Sequence, residues 1–478
     1  MAACGEDEEE VPSEILPAER YQDRCEAPRT GKDPDGRSFL DKDGSLLQEQ
    51  LWLRSWTDDT YLWYREVPGA DPRRFDTAVD YFDVLKTFIV TDSGKEKDEF
   101  HFTYTTEEWI ALSQSGVEAS YGLQWALLQS SPPRKIVVAY VQPGSPAEAA
   151  GITRGTQGIA VDGVDIENGT DLDKLNAGLF PSTPDVEHEL VVLDRGATEP
   201  RTLTLKSTTL ASTPVSSKLL AAPNDKVGYL LFNDHIQPAE RGLVDAIANL
   251  KAAGITDLVL DLRYNGGGYL AIAAELGYMI AGPSTAGKTF EKLQFNDKHP
   301  DRNPVTGGSL APEVFLNQAQ GFSVPPGTAL PFLDLPVKRV FVLTGPGTCS
   351  ASEALMNSLA GVDVQVIQIG ATTCGKPYGF YPTDNCGTTY FSIQFQGLNA
   401  KGFGDFADGF TPTPATGCVV SDDFTHELGD PAEGRLAAAL TYMTTSACPA
   451  PARSANPLAA TEGVVPKPLW LKNAIRTR

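Results

Sequence analysis

Three short stretches carry residue types whose spacing suits nucleophilic catalysis. "GPGTCSASEA", residues 345–354, sets Ser350 between a small-residue turn and the start of a helix. "DLRYNGGG", residues 261–268, ends an apolar strand in glycines, and "GATTCGKPYG", residues 370–379, follows another strand with Lys376. A serine hydroxyl attacks once a base takes its proton, and a lysine can be that base when burial lowers its pKa. Lys376 lies 26 positions after Ser350, room for one helix and one strand to return the chain to the same sheet edge. Gly266 and Gly267 let a backbone amide approach a substrate closely, and the amide of Ala351, at a helix start, offers a second donor for an oxyanion.

Each of these residues also has a purely structural reading. Ser350 with Glu353 three positions on is a capping box, which ties off the free amides of a helix start. The two roles are compatible, because the helix start survives when the hydroxyl leaves the cap. Ser352 and Glu353 read as first-turn helix residues. Asp261 and Arg263 read as an ion pair holding a strand end, and Asp363 as surface. His235, in "FNDHI", follows a core strand and reads as a plain loop histidine, with a place lining the cleft as the functional alternative.

The elements that must position these residues follow from periodicity. "KVGYLLFN", "ITDLVLDLR", "RVFVLT" and "VQVIQIG" are strands, the second of the doubly buried kind, and "PAERGLVDAIANLKAAG" is a helix with Pro238 at its start and Gly254 at its end. Together they form an α/β domain over 218–447. Residues 283 to about 334 read as an irregular excursion near or over the cleft. Upstream, Leu47, Leu51, Trp56 and Trp63 make one helical stripe. Phe75, Val79, Phe82, Leu85 and Phe88 make a second, giving a helical N-terminal domain over 41–115.

Between the two, residues 116–208 resemble a PDZ domain. The resemblance rests on "PGSPAEAAGI" followed by the Val-Asp-Gly turn of "IAVDG", with strands before and after. It implies that Tyr121, Gly122 and Leu123 form a loop whose amides hold a peptide's terminal carboxylate while the peptide adds as a strand. A structural role for Gly122, permitting a tight turn, is the plainer alternative, and the whole PDZ-like pattern favours the peptide groove.

A buried strand ending "DLRYNGGG", then "SASEA", then "TCGKP", downstream of a PDZ-like domain, resembles the C-terminal processing peptidases over roughly residues 43–447. The resemblance implies a multidomain α+β chain whose catalytic domain has a crotonase- or ClpP-like fold. It also implies a Ser350–Lys376 dyad that cleaves unfolded or flexible proteins through an acyl-enzyme. Two departures stand out. Many members carry a glutamine four residues after the lysine, where this chain has Phe380, and the residue before the nucleophile is Cys349. A non-catalytic ligand- or peptide-binding protein on the same fold is the alternative, and the presence of both Ser350 and Lys376 favours the enzyme.

Composition limits the partners. The 478 residues carry a net charge of −23, which disfavours nucleic acid and anionic membrane surfaces and otherwise reads as solubility; a protein or peptide substrate is what the peptidase resemblance implies. The chain has no apolar run of about 18 residues, the length that spans a bilayer. "MAACGEDEEE" resembles the processed end of a bacterial lipoprotein, with a lipid on Cys4, a disordered acidic tether and linker over 1–40 and a periplasmic or cell-envelope location. The other six cysteines fit an oxidising compartment. Cys418 with Cys448 is the favoured pair, bracketing the last helical stretch. Cys349 and Cys374 either bridge across the proposed site or pair with Cys25 and Cys386. With no CxxC pair and only five histidines, no metal is implied, and no organic cofactor. The Pro-rich residues 448–478 read as an extended or mobile tail.

Overall fold

Apolar residues line both faces of the strands Asp257–Asp261, Arg339–Thr344 and Gln365–Gly370, and such strands must be covered on both sides. Leu258, Leu260, Val340 and Val342 share one layer with the helices Gln237–Ala252, Leu270–Ala281 and Ala351–Gly361. Val259, Phe341, Leu343, Ile367 and Ile369 share the other with the helix Gly434–Thr445. The computed structural model describes residues 10–32, 36–115, 117–450, 462–466 and 474–475. Cys4 and the other residues of 1–9 lie outside them, as does most of the segment after Ala450.

The main sheet runs Val215–Leu219, Val227–Phe232, Asp257–Asp261, Arg339–Thr344, Gln365–Gly370, Gly417–Val419, parallel after its first strand. Its parallel strands end where the three candidate stretches begin, so the topology gathers them at one edge. A second sheet stands beside that edge in the order Gly268–Tyr269, Ala474–Ile475, Tyr378–Phe380, Phe395–Leu398, Thr289–Gln294, Glu313–Val314. The excursion after residue 283 therefore contributes a strand, Thr289–Gln294, and is not wholly irregular. Its later part is pinned from below. Glu240 accepts the amides of Gln320, Gly321, Ser323 and Val324, and Glu275 also accepts from Gln320. Burial, then the neighbouring Glu240, raise the Glu275 carboxyl to about 8.

The PDZ-like segment has its own core, built from residues such as Trp125, Ile136, Val138, Val161, Leu190 and Val192. Its five main strands run from Arg201–Lys206 to Leu123–Gln129. Val117–Ser120 pairs antiparallel with Thr208–Ala211, so the chain enters and leaves this domain through one two-stranded ribbon.

The N-terminal residues form a layer on the α/β domain. Leu46–Thr60 is a helix capped by Ser45, whose hydroxyl accepts from the Gln48 amide. Trp52, Trp56 and Phe82 pack on Tyr390 of the α/β domain. The strand Phe102–Thr105 pairs with Thr388–Phe391, and a Cys25–Cys386 disulfide adds a covalent tie. The second stripe yields a shorter helix than its spacing implies, only Ala78–Asp83, and Phe88 is 58% exposed. Beyond Leu85 the β-branched residues Ile89, Val90 and Thr91 turn into a small loop closed by the Val90–Glu96 bridge. Trp63 likewise falls in the turn after the first helix.

Candidate active site

Ser350 caps the helix Ala351–Gly361 with φ at 58°, a left-handed conformation that costs a non-glycine residue energy and persists only where its surroundings enforce it. The enforcement is visible. The Cys349 amide donates to the Asn265 carbonyl (3.1 Å), Ser352 Oγ donates to the same oxygen (3.1 Å), and Thr348 Oγ1 donates to the Leu262 carbonyl (2.8 Å). The serine turn is thus bolted to the strand end that carries the glycines. Gly267, at φ 111°, lies so close that a Cβ there would stand 3.0 Å from the Ser350 Cβ and from the Ala351 amide nitrogen.

Glu353 joins the serine turn to the lysine loop. One carboxylate oxygen accepts the amides of Ser350 (2.9 Å) and Lys376 (2.8 Å). The other accepts the Gly375 amide (2.9 Å) and the Thr373 hydroxyl (2.5 Å). The carboxyl is fully buried, and burial raises its pKa against the pull of these four donors. A Cys349–Cys374 disulfide fastens the same two segments covalently.

Lys376 is 1% exposed. Its amine sits 4.2 Å from the Phe100 ring centroid and 4.9 Å from that of Phe380. Burial pushes this amine well below its ordinary pKa; Asp98 first, then Glu353, pull it partly back. Ser350 Oγ is also buried and has no hydrogen-bond partner, so no hydroxyl–amine bond joins the two side chains in this structure.

The glycine stretch is held by polar groups beneath it. Asn265 Oδ1 accepts the Gly267 amide (2.9 Å) and contacts His235 Nδ1 (3.0 Å). In this geometry the Gly267 N–H is already engaged, whereas the expectation grouped it with Gly266 as a donor. His235 is wholly buried, and burial lowers its pKa to about 3 against its bonds to Asn265 and Gly267, so it is a neutral packing residue under the loop. Asp261 and Arg263 do hold the strand end by ion pairing, within a larger network. Arg263 also meets Asp422 (2.7 Å) and Glu433 (2.8 Å). Arg154 reaches across from the PDZ-like domain to Asp422 (2.7 Å) and the Tyr264 hydroxyl (2.6 Å). Burial opposes the charge on Asp422, but Arg154, Arg435 and Arg263 outweigh it and hold that carboxyl far below the usual range.

Tyr121, Gly122 and Leu123 line a cavity of about 870 Å³ that continues past Ile152 and Phe180 to Val215 and Asp234 of the α/β domain. Gly122 has φ 77° and its amide donates to Ser120 Oγ (2.9 Å). The Tyr121 and Leu123 side chains are core residues of the PDZ-like domain.

Positions 371–383 around Lys376 hold no acidic residue, so its carboxylate neighbour comes from far along the chain. Asp98 arrives from the N-terminal layer, buried and accepting from the Tyr61 hydroxyl (2.7 Å). Phe100 comes with it, and Lys95 Nζ donates to the Cys374 carbonyl (3.2 Å). Glu353 does more than its first-turn position implies: a helix cap shows its local partner in sequence, but not the loop held by its remaining acceptor sites. All six described cysteines are in disulfides, including Cys418–Cys448, which removes a thiol nucleophile from consideration. No described helix is long and apolar enough to cross a membrane.

Known proteins resemble parts of this chain. Residues 226–380 match the model of peptidase family S41. A carboxyl-terminal-processing protease of Picosynechococcus sp. is 30% identical over 212 residues, 44% of this chain and 50% of the relative. One of Synechocystis sp. is 25% identical over 355 residues, 72% of this chain and 74% of the relative. The chain thus spans about half the length of the first of these curated relatives. A solved Bacteroides fragilis structure, provisionally described as an S41 protease, superposes with a TM-score of 0.59 at 23% identity, covering 82% of this chain and 96% of that one. That likeness shows the fold.

Proposed function

We propose, taking as premise that residues 226–380 belong to peptidase family S41, that this protein is a serine endopeptidase with Ser350 as nucleophile and Lys376 as base. The observation that carries the reading is Glu353, whose single carboxylate oxygen accepts both the Ser350 and the Lys376 amides. A structural cap needs only the first. The buried, weakly basic amine supports the base role, since only a neutral lysine can take a proton.

In the forward step Ser350 Oγ closes to about 3 Å from Lys376 Nζ, gives up its proton and attacks the scissile carbonyl. The Ala351 amide and the glycine stretch at Gly266 face the developing oxyanion. The lysine ammonium then protonates the leaving amine, and water hydrolyses the acyl-serine. Protein chains with flexible ends are the substrate class, and the Tyr121–Gly122–Leu123 loop is the site for a free C-terminal carboxylate, which would replace Ser120 Oγ as the acceptor at Gly122. The lipid on Cys4 and the envelope location belong to the same reading; the three disulfides support an oxidising compartment.

The test compares wild type, Ser350→Ala and Lys376→Ala on casein as an unstructured substrate, with folding followed by circular dichroism. Each variant should stay folded and lose cleavage, and the double variant should lose little more. Wild-type turnover in Ser350→Ala would overturn the mechanism. A wild type that binds peptide but never cuts would favour the non-catalytic binder.

A further inference from the structure

The second sheet contains a strand that sequence did not announce. Gly268–Tyr269 and Tyr378–Phe380 flank the proposed site: the first follows Gly266 and Gly267, the second follows Lys376. They do not pair with each other. Ala474–Ile475 lies between them and is parallel to both. Ala474 faces Gly268 on one side and Gly379 on the other, and Ile475 faces Tyr269 and Phe380.

A slot with an open strand edge on each side recognises any extended chain through backbone hydrogen bonds, whatever its side chains. An extended substrate meets the same geometry. A backbone that runs beside the strand beginning at Gly268 is brought toward Ser350, since a Cβ at the preceding Gly267 would stand 3.0 Å from the Ser350 Cβ. The same late segment is fastened before it arrives. Val464 pairs antiparallel with Leu127 of the PDZ-like domain (2.9 and 3.0 Å), and Val465 is buried against Phe424 and Tyr264. Glu462 accepts the Asp422 amide (3.0 Å), and Pro466 lines the 870 Å³ cavity.

We propose that Ala474–Ile475 is an intramolecular occupant of the substrate-strand slot, so that this segment and an extended substrate compete for one site. The inference rests on the peptidase reading for what the slot is used for. Anchored at Val464, the segment acts at an effective concentration on the order of millimolar, typical of a short tether. If the segment itself pairs with the slot at a Kd of about 100 μM, the ratio of the two makes any free chain bind roughly tenfold more weakly than to an open slot. A substrate held at the same time by the PDZ-like groove recovers that loss through its own tether. Masking of this kind suppresses indiscriminate cleavage while leaving chains with a captured C-terminus able to enter.

The test uses the full chain with Ala474→Pro, since proline removes a ladder N–H and is not tolerated in a central strand. A second variant ends after Pro466. Binding of a fluorescein-labelled peptide with the sequence of residues 470–478 is measured in a Ser350→Ala background, and casein cleavage in the catalytic background. Opening the slot should tighten peptide binding about tenfold and raise casein kcat/KM by a similar factor. Equal peptide binding by the unaltered, Ala474→Pro and shortened chains would overturn the proposal while leaving the peptidase reading intact. Tighter peptide binding with no casein cleavage in any chain would uphold the slot and refute the peptidase. Loss of the last residues from the catalytic chain, but not from the Ser350→Ala chain, would overturn masking, because the segment would then be a product.

Discussion

Glu353→Gln separates a helix cap from a site organiser. The carboxylate accepts four hydrogen bonds, two on each oxygen. A glutamine has one carbonyl oxygen, which in its better orientation keeps the Ser350 and Lys376 amides. Its NH2 then faces the Thr373 hydroxyl and the Gly375 amide. The hydroxyl can turn and accept, but the Gly375 N–H cannot, so one buried backbone donor is orphaned at a cost of about 1–3 kcal/mol. The surviving bonds fall from charge-assisted to neutral, which roughly halves their strength. Relief of the buried charge offsets part of the loss, leaving a net destabilisation of about 3 kcal/mol. Urea denaturation reads the stability, and single-turnover cleavage reads the site. The pH profile discriminates further: Glu353 raises the Lys376 pKa, so its neutralisation should move the alkaline rise in activity to lower pH. A variant within 0.5 kcal/mol of wild type, with an unmoved profile, would refute the organising role.

Three further outcomes follow from the buried groups. Because the folded Lys376 pKa lies well below 10.5, activity should rise with pH through one ionisation, and the folded state should also gain stability from that ionisation up to the unfolded pKa; Lys376→Met should abolish the rise and stabilise the fold at neutral pH, both read from rate and denaturation series. Glu275 has the opposite sign: a carboxyl raised to about 8 loses its contribution progressively as pH climbs from its unfolded value to 8 and loses no more beyond, so protection factors over residues 318–324, corrected for the intrinsic pH dependence of exchange, should fall up to about pH 8 and then level off, and Glu275→Gln should remove that fall. Cys349→Ser with Cys374→Ser opens a loop of sequence separation 25 and should cost about 3.5 kcal/mol in urea, with cleavage falling because the serine turn and lysine loop lose their covalent tie.

What could be read in the sequence was what is local. Ser350, Lys376 and the glycines each sit in a short stretch whose residue types are unusual for a plain strand end, and the spacing from serine to lysine matches one helix and one strand. The Cys418–Cys448 pair was readable for the same reason, since both ends of one helical stretch must return to the sheet. Asp98 and Phe100 could not be found this way. They occupy an ordinary polar loop, and only packing on the α/β domain brings them to Lys376. Phe380 looked like a missing polar partner; in place, its ring helps to dehydrate the amine. The Pro-rich late segment carries no strand pattern, and Ala474–Ile475 becomes a strand because two edges stand open beside it.

The distribution of these contributions along the chain has a consequence for when the proposed site can work. Serine, lysine and glycines all lie within residues 261–376, but the Lys376 amine is dehydrated by Phe100 from the N-terminal layer. The glycine strand end is braced through Asp422 by Arg154 from the PDZ-like domain. A chain whose N-terminal layer has not docked leaves Lys376 in water, where it is protonated at neutral pH and cannot act as a base. A chain whose PDZ-like domain has not docked leaves Asp422 without one of its three arginine partners, and removing a partner from a buried ion pair costs about 3–5 kcal/mol. Arg154→Met should therefore loosen the glycine strand end as well as the domain interface. Limited proteolysis should then cut the ribbon joining Val117–Ser120 to Thr208–Ala211 faster, and turnover should fall with it; faster nicking with unchanged turnover would show that the network braces the domains without bracing the site.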